Sequence, residues 1–85
     1  MTDDGRAAYR EGFRALVSEV LEEPVEPTDN FVDAGGDSLT AAVLVNVIVE
    51  RDGFVPPIIW FFEAETVTDI ADRCFDARSA APAAG

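Results

Sequence analysis

Ser38 is the residue of this chain best placed to do chemistry, and the run Gly35-Gly36-Asp37-Ser38-Leu39 says why. Consecutive glycines lose too much backbone entropy to sit comfortably in a helix. Asp37 is a preferred N-cap, and the stretch from Leu39 to Val49 is apolar apart from Thr40 and Asn46. The pattern reads as loop, cap and helix start, with Ser38 at the first or second helical position. Such a corner lifts a hydroxyl into solvent beside unpaired backbone N–H groups at the positive end of a helix dipole. The dipole alone favours a phosphate there by ~0.3–1 kcal/mol. A serine so placed suits either of two uses: carrying a phosphoester, or attacking a substrate. Attack needs a general base beside the hydroxyl, normally a histidine, and the chain contains no histidine.

Composition narrows the partners. Eighty-five residues make one small domain, and a hydrophobic content of 48% is that of a globular chain. Seventeen acidic residues face six basic ones, for a net charge of −11. Such a surface repels nucleic-acid phosphates and anionic lipid heads and attracts basic protein surfaces. Cys74, the lone cysteine, can form no intrachain disulfide, and its helical spacing with Ile70 and Ala71 assigns it to the core. The N-terminus lacks the basic-then-apolar form of a signal peptide. The most apolar stretch, Ala41 to Val49, falls well short of a membrane span. A soluble cytoplasmic protein is the expectation, with neither nucleic acid nor membrane as partner.

The elements that must position Ser38 follow from periodicity. Tyr9, Phe13, Leu16, Val17, Val20 and Leu21 recur at helical spacing after a polar Met1 to Gly5, in which Thr2 or Asp3 is available as a cap. Pro24 ends this first helix. From Glu23 to Asp37 there is no period, and a loop this long in so small a domain is usually functional. Phe31 or Val32 should plug into the core and pin it. The second helix is expected from Ser38 to about Arg51, with Gly53 as its stop and Ala41, Leu44, Val45 and Ile48 as its core face. A short helix, Ile58 to Glu63 with Pro57 at its first position, holds five consecutive large apolar residues. Thr66-Val67-Thr68-Asp69 has the form of a capping box, and Val67, Ile70, Ala71, Cys74 and Phe75 then mark a last helix ending near Ala77 to Ser79. With no strand alternation, repeat or metal-ligand cluster, the fold class is all-α: a small bundle of three longer helices and one short one. Residues 5–78 should be the folded part of a single domain spanning 1–85, with 79–85 as a flexible tail.

Two faces look exposed. Leu39 and Val43, with Val47 at the edge, lie on the outer side of the second helix where charge is usual. A short helix cannot bury all of Ile58 to Phe62, so Ile59 or Trp60 should be exposed or meet a partner. Leu39, Val43, Val47, Ile59 and Trp60 are therefore the candidate docking residues. Association of two copies through the second helix is an alternative to a monomer with a hydrophobic partner.

Phe31-Val-Asp-Ala-Gly-Gly-Asp-Ser-Leu39 closely resembles the phosphopantetheine attachment motif of carrier proteins, in the form most typical of peptidyl carrier domains of nonribosomal peptide synthetases. The resemblance covers almost the whole chain. Phe62-Glu-Ala-Glu-Thr-Val67 is similar to the family's entry to its fourth helix, and Gly53 falls where the family usually has a glycine. Ala34 stands where the family often has leucine and Val32 where an aromatic is common. Val43, Val47 and Val49 occupy positions where related carriers tend to be polar or charged.

The resemblance implies a four-helix carrier of the acyl carrier type, and no enzyme. A phosphopantetheinyl transferase would use coenzyme A to place 4′-phosphopantetheine on Ser38, with Gly36, Asp37 and Leu39 forming the attachment corner. The arm would hold amino or acyl groups as thioesters. An adenylation or acyl-loading enzyme would charge it, and condensation, tailoring or thioesterase enzymes would unload it, in nonribosomal peptide or hybrid polyketide synthesis. Two other readings remain: a carrier-fold interaction module that never receives the arm, and a serine hydrolase. Gly36-Asp37-Ser38-Leu39 also resembles the opening motif of a lipase and esterase family, but the missing histidine and the absence of a strand before the serine count against it. Met1 and the Ala-rich tail favour a free-standing carrier over one cut from a synthetase.

Overall fold

A computed structural model describes the chain from Gly5 to Ala80, with side chains as far as Arg78. Four helices follow in order: α1 (Arg6–Leu21), α2 (Ser38–Asp52), α3 (Trp60–Glu63) and α4 (Val67–Ala80), with no strand among the described residues. The expected all-α bundle of three longer helices and one short one is the observed fold.

Helix α1 opens on Gly5, whose left-handed backbone (φ 92°) serves as the cap; Thr2 and Asp3 lie outside the described residues. It stops one turn before Pro24 could force it to. Glu22 turns left-handed (φ 59°), and the Glu22 and Glu23 N–H groups donate to Glu19 O and Ser18 O at 3.3 and 3.2 Å. The Ser18 and Glu19 carbonyls, two of the last four of the helix, are thereby satisfied, and the proline falls just beyond, where such caps tend to place it. Helix α2 ends as its sequence predicts, on a left-handed Gly53 (φ 79°) whose N–H donates to Val49 O. Helix α4 runs through Ser79 and Ala80, two residues into the stretch expected to be tail; residues 81–85 lie outside the described part.

Helix α3 departs most from expectation. Only Trp60–Glu63 is α-helical, and Pro57 is not its first residue. The Trp60, Phe61 and Phe62 N–H groups donate three residues back, to Pro57 O, Ile58 O and Ile59 O, at 3.0, 3.1 and 3.0 Å. That is the tighter winding of a 3₁₀ turn. The consequence is fewer buried side chains: Phe61 enters the core, Trp60 is half-buried against it, and Ile58, Ile59 and Phe62 stay exposed.

The long loop folds across the start of α4 and supplies what that helix lacks. The first N–H groups of a helix have no acceptor within it. Here Val67 N–H donates to Asp29 O at 2.8 Å and Thr68 N–H to Pro27 O at 3.1 Å, while Thr66 Oγ1 accepts from Asp69 N–H at 3.1 Å. Asn30 adds a third tie, donating from Nδ2 to Glu65 O at 3.2 Å. Of the two residues expected to pin the loop, Phe31 does so, fully buried with its ring edge-on to Phe61 at 5.4 Å, and Val32 is exposed.

Val17, Leu44, Phe61, Ile70 and Cys74 meet in the core, and among the described residues no polar or charged one is buried with them. Burial pushes the Cys74 thiol up to about 12, so it stays protonated and behaves as a small apolar group. Across the outside, Arg10 clasps Asp72 through two hydrogen bonds of 2.7 and 2.8 Å, and Arg6 reaches Asp72 and Asp76 at 3.2 and 2.6 Å, tying α1 to α4. Tyr9 ties α1 to α2 by donating to Asp52 Oδ2 at 2.8 Å, beside a groove of about 100 Å³ floored by Gly12, Leu16 and Ile48. That groove lies at the C-terminal end of α2, the opposite end from Ser38.

Candidate functional site

Ser38 is the first residue of α2, fully on the surface, as the cap-and-helix pattern predicts. Its hydroxyl forms no hydrogen bond with any described residue. Everything that places it is therefore in the backbone around it, and that backbone is held from both sides.

On the loop side, residues 31–35 form a tight turn. Ala34 N–H donates to Asn30 O, Gly35 N–H to Val32 O and Gly36 N–H to Phe31 O, at 2.9, 3.0 and 2.9 Å. Asn30 Oδ1 accepts from Asp33 N–H at 3.0 Å and braces the turn from outside. Gly35 takes a φ of 112°, a conformation that residues with a side chain rarely adopt. Gly36 is buried, and a Cβ there would overlap the Phe31 ring. The two glycines thus have separate reasons: the first turns the chain, the second lets it lie on the phenylalanine that anchors the loop. Gly36 shapes the corner by lying against that ring.

On the helix side, Asp37 caps α2. Its extended backbone (φ −147°) precedes the helix, and its Oδ1 accepts from Thr40 N–H at 2.9 Å. Thr40 returns the contact, with Oγ1 accepting from Asp37 N–H at 2.8 Å. Donation to the Asp37 carboxyl from the Thr40 N–H, and then from the Thr40 hydroxyl at 3.0 Å, holds it below the usual carboxylate range. The aspartate is ionised at neutral pH while it caps. Thr40 was not among the residues singled out from the sequence. The signal was present as the three-residue spacing from Asp37, the same spacing that identified Thr66 and Asp69.

The candidate docking residues divide. Leu39 is 73% exposed next to Ser38, and Val43 follows one turn along the same side of α2. Val47 is half-buried. On the α3 side, Ile59 is 55% exposed, whereas Trp60 packs against the core and its expected place is taken by Ile58 and Phe62. Phe62 also touches Phe31, ring edge to face at 5.9 Å, so the apolar face of α3 is continuous with the anchor under Gly36. Among the described residues no cluster of histidine, cysteine or carboxylates could hold a metal ion, and no helix is long and apolar enough to cross a membrane.

Residues 11–74 match the family described as the phosphopantetheine attachment site. An alignment 62 residues long that covers 68% of the chain is 42% identical to part of apicidin F synthase from Gibberella fujikuroi. Another, 59 residues long and covering 61% of the chain, is 41% identical to part of the nonribosomal peptide synthetase vlms from Lecanicillium sp. The chain spans about 1% of the length of each of these relatives. No solved structure matches it. A phosphopantetheine held by a phosphodiester needs an exposed hydroxyl with room around it and amides or a helix dipole beside the phosphate. The corner at Ser38 offers all of these, with the Ser38 hydroxyl unengaged and the helix N-terminus directly behind it. The chain belongs to the phosphopantetheine attachment site family, whose members are non-catalytic carriers of covalently bound 4′-phosphopantetheine.

Proposed function

We propose that Ser38 is the attachment point of the 4′-phosphopantetheine arm, and that the chain carries intermediates of nonribosomal peptide synthesis between enzymes. The observation that carries this is the position of Ser38: an exposed, unengaged hydroxyl at the first residue of α2, inside the matched stretch. In loading, the Ser38 oxygen bonds to the phosphorus that coenzyme A joins to its 3′,5′-ADP half. The phosphorus–oxygen bond to that half breaks, and the hydroxyl proton leaves to a base on the transferase. Bound there, the arm supplies a terminal thiol that holds an amino or acyl group as a thioester. One of the two relatives supports the peptide-synthetase setting by its printed name. A tethered carrier works by effective concentration, so weak, exchangeable docking to each enzyme suffices. Leu39 and Val43, beside Ser38 on α2, and Ile59 and Phe62, on α3, offer exposed apolar side chains for the transferase and for loading and condensing enzymes.

The test is intact-protein mass after incubation with coenzyme A and a promiscuous phosphopantetheinyl transferase. The wild-type chain should gain one phosphopantetheine mass and Ser38→Ala none. Folded protein that gains nothing, while a known carrier is modified in the same tube, would leave an interaction module that keeps the carrier fold without the arm.

A further inference from the structure

We propose that Thr40 is a positioning residue for arm attachment: its hydroxyl locks Asp37, and through it the Ser38 backbone, in the orientation a transferase meets. The inference rests on Ser38 being the attachment point. An ordinary aspartate cap needs only the N–H three residues on, which every residue but proline supplies. Thr40 adds a hydroxyl, and that hydroxyl reaches three further atoms of Asp37. It accepts from Asp37 N–H at 2.8 Å and lies 3.0 Å from both Asp37 O and Asp37 Oδ1, between which its one proton is shared. Asp37 O also accepts from Ala41 N–H at 2.9 Å. The N–H, the carbonyl and one carboxylate oxygen of Asp37 are thus all engaged by the first turn of α2.

Ser38 has no such support of its own. Its side chain bonds to nothing among the described residues, so the position of its oxygen is inherited from the backbone of Asp37. Displacement of a reacting oxygen by about 1 Å can cost on the order of a hundredfold in rate. Of the neighbours, Gly35 and Gly36 are fixed by the Phe31 turn, which leaves the junction between that turn and α2 as the hinge that could let Ser38 wander. Thr40 closes the junction. Because its hydroxyl turns back onto Asp37, its loss should alter the geometry of the reacting serine more than the docking of the partner.

The experiment compares wild-type apo-protein with Thr40→Val, Thr40→Ser, Ser38→Ala and Ile48→Val in steady-state loading by coenzyme A and a phosphopantetheinyl transferase. Valine keeps the shape and removes the hydroxyl; serine restores it. Ile48→Val, in the core of α2 and away from the corner, controls for stability. Thr40→Val should lose about tenfold in kcat/KM, mainly in kcat, with Thr40→Ser within about twofold of wild type. Amide exchange, read by NMR on the apo-proteins, should be faster at Asp37 in Thr40→Val alone. Wild-type loading of folded Thr40→Val would overturn the proposal. So would equal losses in the valine and serine variants, or a loss as large in Ile48→Val. A wild-type chain that is never loaded, or a loaded Ser38→Ala, would instead overturn the assignment of Ser38, and Thr40 with it.

Discussion

A methyl group added at Gly36 would overlap the Phe31 ring, whereas one added at Gly12 would meet nothing within 4 Å. The two glycines should therefore respond in opposite senses. Gly36→Ala forces the loop off its anchor, and overpacking of this kind costs about 1–3 kcal/mol; thermal unfolding should show a lower midpoint. Gly12→Ala relieves a helix interior of its poorest propensity short of proline and should stabilise by up to about 1 kcal/mol. Asp37 makes a subtler prediction. Its carboxyl sits below the ordinary range because Thr40 donates to its ionised form. That contribution to stability is complete above the unfolded carboxylate pKa and disappears as pH falls through the lower, folded value. Under the proposed attachment, loading Ser38 would set a singly charged phosphodiester one residue away, and a like charge disfavours ionisation. Carbon-13 NMR titration should find Asp37 higher in the loaded protein than in the apo form. At this scale the sequence was legible wherever a residue type has one dominant reason, as with Asp37 as cap, while for the plug it left Phe31 and Val32 both open. It put Gly36 in the loop without its reason, a ring five residues away that only the folded turn brings to it.

The three long helices declared themselves through apolar spacing and through their ends, because a helix that buries one stripe must repeat it every three to four residues. Their caps were less legible, since a left-handed Glu22 carries no sequence mark of the kind that Gly53 does. Helix α3 was misjudged at its start for a related reason. Five consecutive apolar residues carry no period, so nothing distinguishes a 3₁₀ turn from the first turn of an α-helix. The loop's service to α4 was invisible, because it rests on the carbonyls of Pro27 and Asp29, which every residue possesses. The salt bridges between α1 and α4 are equally non-local and give the prediction that belongs here. Hydrogen bonds from Arg10, and after it Arg6, hold the Asp72 carboxyl below its ordinary range. A lowered carboxyl stabilises above the unfolded pKa and ceases to as pH falls through the folded one. Asp72→Asn should thus melt roughly 2–6 °C below wild type at pH 7, and the gap should close as the pH drops below about 4. A gap independent of pH would mean that packing, rather than the ion pairs, joins the two helices.

Taken whole, the molecule is polarised. Five of its six arginines stand on α1 and α4, where Arg6, Arg10, Arg14 and Arg73 are bonded to carboxylates and Arg78 lies over the Tyr9 ring at 5.0 Å. Between Arg14 and Arg51 there is no basic residue, while six acidic ones run from Glu22 to Asp37. Leu39 stands exposed two residues after the last of these acids, with Val43 one turn along the same side of α2, so a partner reaching that corner meets apolar side chains with a negative flank. The two features should act on different stages of association. Charge steers encounter and is screened over about 8–10 Å at ordinary salt; desolvated apolar contact governs how long the complex lasts. Raising the salt should therefore slow association with a basic partner and leave dissociation nearly unchanged. Val43→Arg should do the reverse, raising the KM for the carrier about fivefold or more at every salt concentration. Val43 is 41% exposed, so the melting temperature should move little. Stopped-flow association and loading kinetics on the same two proteins separate the effects. If Val43→Arg changed only the sedimentation coefficient, converting a dimer to a monomer while loading proceeded unaltered, the apolar face would belong to a second copy of the chain instead.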